Sequence, residues 1–208
     1  MSSFQRSFRL QQIRIRRSIA PTRHLSTTTN LKMRVPYVSD PPANMNAEEQ
    51  AIYDRVAARR HPRPLQPLDL ALLHNPHVAD GWNSFLGAIR TKTSLPDDLR
   101  EIAISRVAVL NDAAYEWGHH APLAAKGGVS EEGMKTLAKK EVSGKEVGAG
   151  LSEKQWIVCR FTDEMTRNVK VSDETFADAR KFFSESEVVE LVSTVSCSEC
   201  SARLESKH

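Results

Sequence analysis

The segment Tyr115-Glu116-Trp117-Gly118-His119-His120 gathers acid-base side chains at helical spacing. Glu116 and His120 are four residues apart, so on a helix they share a face, and a carboxylate there can orient an imidazole and raise its basicity. His119 is three residues from Glu116 and competes for the same partner, although it turns about 100° from His120 around the helix. On spacing alone, an exposed Glu-His pair explains the pattern as well as a catalytic one. Glu101 is the second candidate: it sits beside Ile102, Ala103 and Ile104, one position from a core stripe. A carboxyl group that loses hydration holds its proton more tightly, which suits a general acid or base. A surface ion pair with Arg100 or Arg106 is the alternative.

Two further groups carry less. Cys197-Ser198-Glu199-Cys200 invites a dithiol reading, but position 204, where a following helical His would sit, is Leu. The segment lies near the end of the sequence, where a helix frays, and no second ligand pair completes a zinc site. Neither redox chemistry nor a metal is expected there. His61, His74 and His77 lie beside prolines at loop edges, where solvated or packing roles are expected.

The elements that must position these residues are helical. Residues Ala47 to Arg60 open with Glu48 and Glu49 and close with Arg59 and Arg60, matching the helix dipole at both ends. After a proline-rich connection and a short apolar stretch, Leu68 to Leu73, a longer helix is predicted over Pro76 to Lys92. There Val78, Trp82, Phe85, Leu86 and Ile89 recur at spacings of three and four. Ser94-Leu95-Pro96-Asp97-Asp98 reads as a helix start, with Leu99, Ile102, Ala103, Val107 and Leu110 toward the core. A break near Asn111-Asp112 precedes a helix over Ala113 to Lys126, ended by Gly127-Gly128. Ser130, Ser152 and Ser172 each cap another helix, a glycine-containing loop spans Val142 to Gly150, and the last helix is expected over Glu187 to Val195. Hairpin signals are few, so the expected fold class is all-α: one compact domain of roughly eight helices.

Charge divides the sequence. Residues 1–39 hold eight of the 29 basic residues and no Asp or Glu, which leaves 21 basic against 26 acidic side chains over residues 40–208, a net of −5. A folded part of that sign lacks the electrostatic footprint of a nucleic-acid binder. Residues 1–32 are Arg-rich, Ser- and Thr-rich and acid-free, the composition of a mitochondrial transit peptide or of a disordered basic tail. A mitochondrial location follows from the first reading, and a cytoplasmic one if translation starts at Met33. Residues 33–46 then form a linker to a domain over 47–208. No apolar run approaches the roughly 20 residues of a membrane helix, so no membrane partner is expected. Three cysteines do not make a disulfide scaffold.

With those residues in place, the stretch from Met33 to about Val195 resembles the carboxymuconolactone decarboxylase-like family of the alkylhydroperoxidase D superfamily. The resemblance is carried by Leu73-His74-Asn75-Pro76 through Gly81-Trp82, Leu99-Arg100-Glu101, Arg106-Val107-Ala108, Tyr115 to His120, and Leu123-Ala124-Ala125-Lys126-Gly127-Gly128. Thiol-using members resemble one another in a Glu, then a CxxC, then a His. Laid on this sequence, the Glu falls on Glu101, the His on His120, and the cysteine positions on Ala113 and Glu116. Loss of both thiols removes a peroxide-reducing dithiol cycle from this place. The sequence also departs from the family after Val195, where relatives continue with an aromatic-rich, apolar segment.

The resemblance implies a helical protein assembling as a homo-oligomer, a trimer or a hexamer, with a small-molecule substrate and no cofactor. The expected activity is that of a carboxy-lyase or isomerase acting by acid-base chemistry on a small cyclic acid, such as a carboxylated lactone. His120 is then the proton donor, oriented by Glu116, with Glu101 positioning the proton. Arg106 holds the substrate carboxylate if its side chain faces the pocket. Trp82 and Trp117 form apolar walls, with Tyr115 and His119 flanking the site. A non-catalytic helical binding module and an alkylhydroperoxidase-type antioxidant protein are the alternatives.

Overall fold

The computed structural model describes residues 35–142 and 149–205. The transit-peptide reading of residues 1–32 falls outside them, as does most of the loop expected over Val142 to Gly150. Among the described residues the chain is all-α. Nine helices follow in order: α1 (Ala47–Arg60), α2 (Pro67–Leu72), α3 (Pro76–Thr91), α4 (Asp97–Leu110), α5 (Ala114–Gly127), α6 (Glu131–Leu137), α7 (Glu153–Asn168), α8 (Asp173–Ala179) and α9 (Glu185–Glu205). None of them is long and apolar enough to cross a membrane.

Local chemistry sets the starts. The side chain of Asn46 accepts hydrogen bonds from the backbone N–H groups of Glu48 and Glu49, while the carboxylate of Glu49 accepts one from the backbone N–H of Asn46, closing a reciprocal cap at α1. Ser130, Ser152 and Ser172 cap α6, α7 and α8 through their hydroxyl oxygens. In α2, Asp69 is buried. Its carboxylate accepts from the backbone N–H of Gln66 at 2.8 Å and from Arg60 at 2.7 and 2.9 Å, which ties the end of α1 to the start of α2.

The centre of the domain is α4, packed against α5, α7 and α9. Every residue from Glu101 to Ala108 is buried, the condition of a helix covered all round. Leu99, Ile102, Ala103 and Val107 join Trp156, Ile157, Val158 and Phe161 of α7 and Leu191 and Val195 of α9 in the main apolar core. Two glycines set how closely α4 and α5 meet and how α5 ends. A Cβ on Gly127 would lie 2.9 Å from the backbone nitrogen of Asp98, so only glycine lets α5 approach the first turn of α4 so tightly. Gly128 closes α5 at φ 115°, in the left-handed region that favours glycine.

The end of the chain departs from expectation. The helix predicted to stop at Val195 continues through Cys197-Ser198-Glu199-Cys200 to Glu205, and Cys197, Ser201 and Ala202 are buried. Ser and Cys are indifferent helix formers on their own. Here the small side chains let the last turns of α9 lie close against α3 and α4, and packing overrides propensity.

Candidate active site

Three helices deliver the charged groups. On α4, Glu101 is 3% exposed; on α5, His120 is 5% exposed and faces it. His120 Nδ1 lies 2.6 Å from Glu101 Oε2, and His120 Nε2 lies 3.2 Å from Glu116 Oε2 one turn earlier on α5. The imidazole is thus held between two carboxylates, one at each nitrogen. An ionised carboxylate only accepts, so Nδ1 carries the proton that it donates to Glu101. Arg100 Nε stands 3.6 Å from the other oxygen of Glu101. Arg90, in the last turn of α3, completes the set: its Nη2 lies 3.1 Å from His120 Nε2.

The electrostatics follow from this geometry. Burial disfavours the imidazolium, but hydrogen bonds to Glu101 and Glu116 outweigh it and hold the His120 pKa above the ordinary imidazole value, against an opposing push from Arg90. A narrow cleft opens on one side of this group. Glu116 and Arg90 form its charged wall; Leu86, Ile89, Ile104 and Val107 supply apolar surface and Cys197 and Ser201 come from α9. His120 stands behind Glu116 and Arg90, away from the lining itself. The order from protein interior to cavity is therefore Glu101, His120, Glu116.

That order revises the expected geometry. The residue that fixes the imidazole through Nδ1 is Glu101, while Glu116 faces the cavity. Trp82 lies close by, packed against Leu86, Ile89 and Cys197 of the cavity wall. Four expected site residues are elsewhere. Arg106, expected to hold a substrate carboxylate, is fully buried and turned to the opposite side. Its guanidinium donates to both Asp163 oxygens at 2.7 and 2.5 Å and to the carbonyls of Leu137 and Lys139 at 2.6 Å each. With four of its five N–H donors engaged and no exposed surface, this fork is out of a substrate's reach. Trp117, one position and about 100° from Glu116, packs into the main core instead of walling the cavity. Tyr115 and His119 lie on the outer face of α5, ring centroids 4.3 Å apart, with His119 Nδ1 donating to the Tyr115 carbonyl at 2.8 Å.

Sequence reasoning passed over Arg90 and the cavity-lining end of α9. The signal for Arg90 was its place four residues after Leu86 and eight after Trp82, at the border of the buried stripe of α3. The Cys197 thiol, half of the dithiol that the sequence suggests, lines the cleft, and burial pushes its pKa up to about 11. A thiol so placed stays protonated near neutrality and is a poor nucleophile.

Residues 76–143 match the carboxymuconolactone decarboxylase family. No curated protein matches the chain. Among solved structures, the debrominase Bmp8, as a cysteine-to-alanine variant in complex with 2,3,4-tribromopyrrole, aligns with a TM-score of 0.61 at 14% identity, covering 85% of this chain and 89% of that one. The Agrobacterium tumefaciens protein ATU0492, of unknown function and named as a candidate antioxidant defence protein AhpD, aligns with a TM-score of 0.52 at 16% identity over 63% of this chain and 87% of that one. At such identities the likeness is one of fold.

Proposed function

We propose that this chain, carboxymuconolactone decarboxylase-like over residues 76–143 and AhpD-like in fold, is a cofactor-free acid-base lyase or isomerase acting on a small cyclic acid or related carbonyl compound. The observation that supports this reading is the row Glu101, His120, Glu116, buried at its first two members and ending on the cleft wall. A surface Glu-His pair does not bury the imidazole and set a carboxylate on each of its nitrogens.

Decarboxylation next to a carbonyl breaks a carbon–carbon bond and leaves its electron pair on the carbon conjugated to that carbonyl, which must then receive a proton. Glu116, at the cavity, delivers the proton. His120 resupplies Glu116 through Nε2, and Glu101 keeps the ring in register and stabilises its charged form. Isomerisation uses the same row, with Glu116 taking a proton from one carbon and returning it to another.

The test is turnover of a panel of carboxylated lactones and cyclic carbonyl acids by the wild type, His120→Asn and Glu116→Gln. General acid-base residues of this kind contribute roughly 10²–10⁴ in rate, so each variant should lose that much while its circular dichroism spectrum stays unchanged. An active His120→Asn enzyme would remove the assignment.

A further inference from the structure

Arg90 is a cation on the cavity wall that the acid-base row does not use. Its Nε is buried with no hydrogen-bond partner. Trp82, eight residues earlier on α3 and packed against the same wall, also has its indole N–H buried without an acceptor. A buried donor in this condition calls for an acceptor, and at a cleft wall a bound group can supply one. A planar guanidinium fork suits a carboxylate.

The contact between Arg90 and His120 is conditional on the proton. A guanidinium can only donate, so Arg90 holds His120 Nε2 only while that nitrogen keeps its lone pair. Glu116 Oε2 accepts, so it holds the same nitrogen only when the nitrogen bears a proton. One atom thus has two neighbours, at 3.1 and 3.2 Å, that demand opposite proton states. A carboxylate seated on Arg90 removes one of them.

We propose that Arg90 recognises the carboxylate of the substrate, and that this contact passes His120 Nε2 from Arg90 to Glu116 with uptake of one proton from solvent. The substrate's own charge thereby loads the proton that the reaction spends. The inference rests on the acid-base reading above and names the substrate feature it requires. The charged and titratable groups around His120 are Glu101 with Arg100 behind it on α4, Glu116 on α5, Arg90 on α3, and the Cys197 and Cys200 thiols on α9 beyond Arg90 and Glu116. Arg90 is the cation in direct contact with the ring, and neutralising it favours the imidazolium.

Titration calorimetry on the full chain tests this with 2-furoate, a small cyclic acid, and 2-furamide, its neutral counterpart, in buffers of different ionisation enthalpy. The acid should bind with proton uptake. Its affinity should be greatest at low pH and fall by up to about tenfold per unit between the free and the bound His120 pKa. The amide should bind at least about tenfold more weakly, with no buffer dependence. Arg90→Gln should lose roughly ten- to hundredfold of the affinity for 2-furoate together with the proton uptake, its fold checked by circular dichroism. Arg90→Lys, which keeps the charge without the fork, should recover part of both. His120→Asn should bind 2-furoate and take up no proton.

No binding of 2-furoate, equal binding of acid and amide, wild-type affinity in Arg90→Gln, or binding without proton uptake each overturns the proposal. Failure here is separable from failure of the acid-base reading. If His120→Asn loses turnover while Arg90→Gln binds 2-furoate normally, only the role of Arg90 falls. If Arg90→Gln loses 2-furoate while His120→Asn stays active, the acid-base row falls instead.

Discussion

Replacing Glu101 by Gln isolates the work of the buried carboxylate. Glu101 is 3% exposed and its Oε2 lies 2.6 Å from His120 Nδ1, so Gln keeps the volume and can still accept the Nδ1 proton through its amide oxygen. What disappears is the charge. Hydrogen bonds to charged groups contribute roughly 1.5–3 kcal/mol against roughly 0.5–1.5 for neutral ones. The difference, about 1.2 kcal/mol, favours the neutral ring of His120 in the variant. The His120 pKa should therefore fall, back toward or below that of a free imidazole, because burial and Arg90 both continue to push it down. Histidine NMR titration of isotope-labelled protein measures this directly, with His120→Asn identifying the resonance among the seven histidines. The limb of the pH–rate profile that reports His120 should move by the same amount toward acid. Stability should respond with a defined sign. A histidine whose folded pKa is raised stabilises the fold fully below its unfolded value, about 6.5, and loses that contribution as pH rises through the folded pKa. Glu101→Gln should thus lose more stability on the acid side of this window than on the alkaline side. An unchanged or raised His120 pKa in the variant would refute the account of the site.

Other expectations test the frame around the site. Arg106→Met leaves Asp163 and two carbonyls in the interior without their donor; urea unfolding should show a loss of about 3–5 kcal/mol, and a surface-like effect below about 0.5 kcal/mol would contradict the buried network. Gly150 has φ 76°, and a Cβ there would meet the backbone nitrogen of Gly133 at 2.2 Å. Gly150→Ala should lower stability by about 1–3 kcal/mol, measured as a shift of the denaturation midpoint, whereas a neutral result would mean that α6 and the loop before α7 are not so closely apposed. Of the three cysteines, Cys200 is exposed while Cys159 and Cys197 are buried. A colourless-to-coloured thiol reagent should titrate one thiol quickly in the native protein and three in denaturant, and rapid native reaction of a second thiol would deny the packing of α9.

Much of the framework was legible in the chain itself. Terminal charges place α1 at Ala47–Arg60, and the apolar stripe of α3 and the Gly127-Gly128 stop of α5 place those helices within a residue of their observed ends, while Ser130, Ser152 and Ser172 bring their own acceptors to the starts of α6, α7 and α8. The Glu116–His120 spacing and the apolar surroundings of Glu101 also belonged to the sequence. Their meeting did not: a buried contact between residues 19 apart depends on how α4 and α5 cross, which Gly127 permits and no local rule specifies.

The tertiary structure decided the rest. Arg106 and Arg90 are indistinguishable as letters, yet α4 turns one toward Asp163 and α3 leaves the other on the cavity wall. Ser and Cys have little intrinsic preference for a helix around position 197, and only the space between α3 and α4 makes small side chains there an advantage. Sequence determines which groups are available and which faces their helices present. Which of them lose water together, and so which carboxylate and which arginine meet the imidazole, is fixed by packing between distant segments.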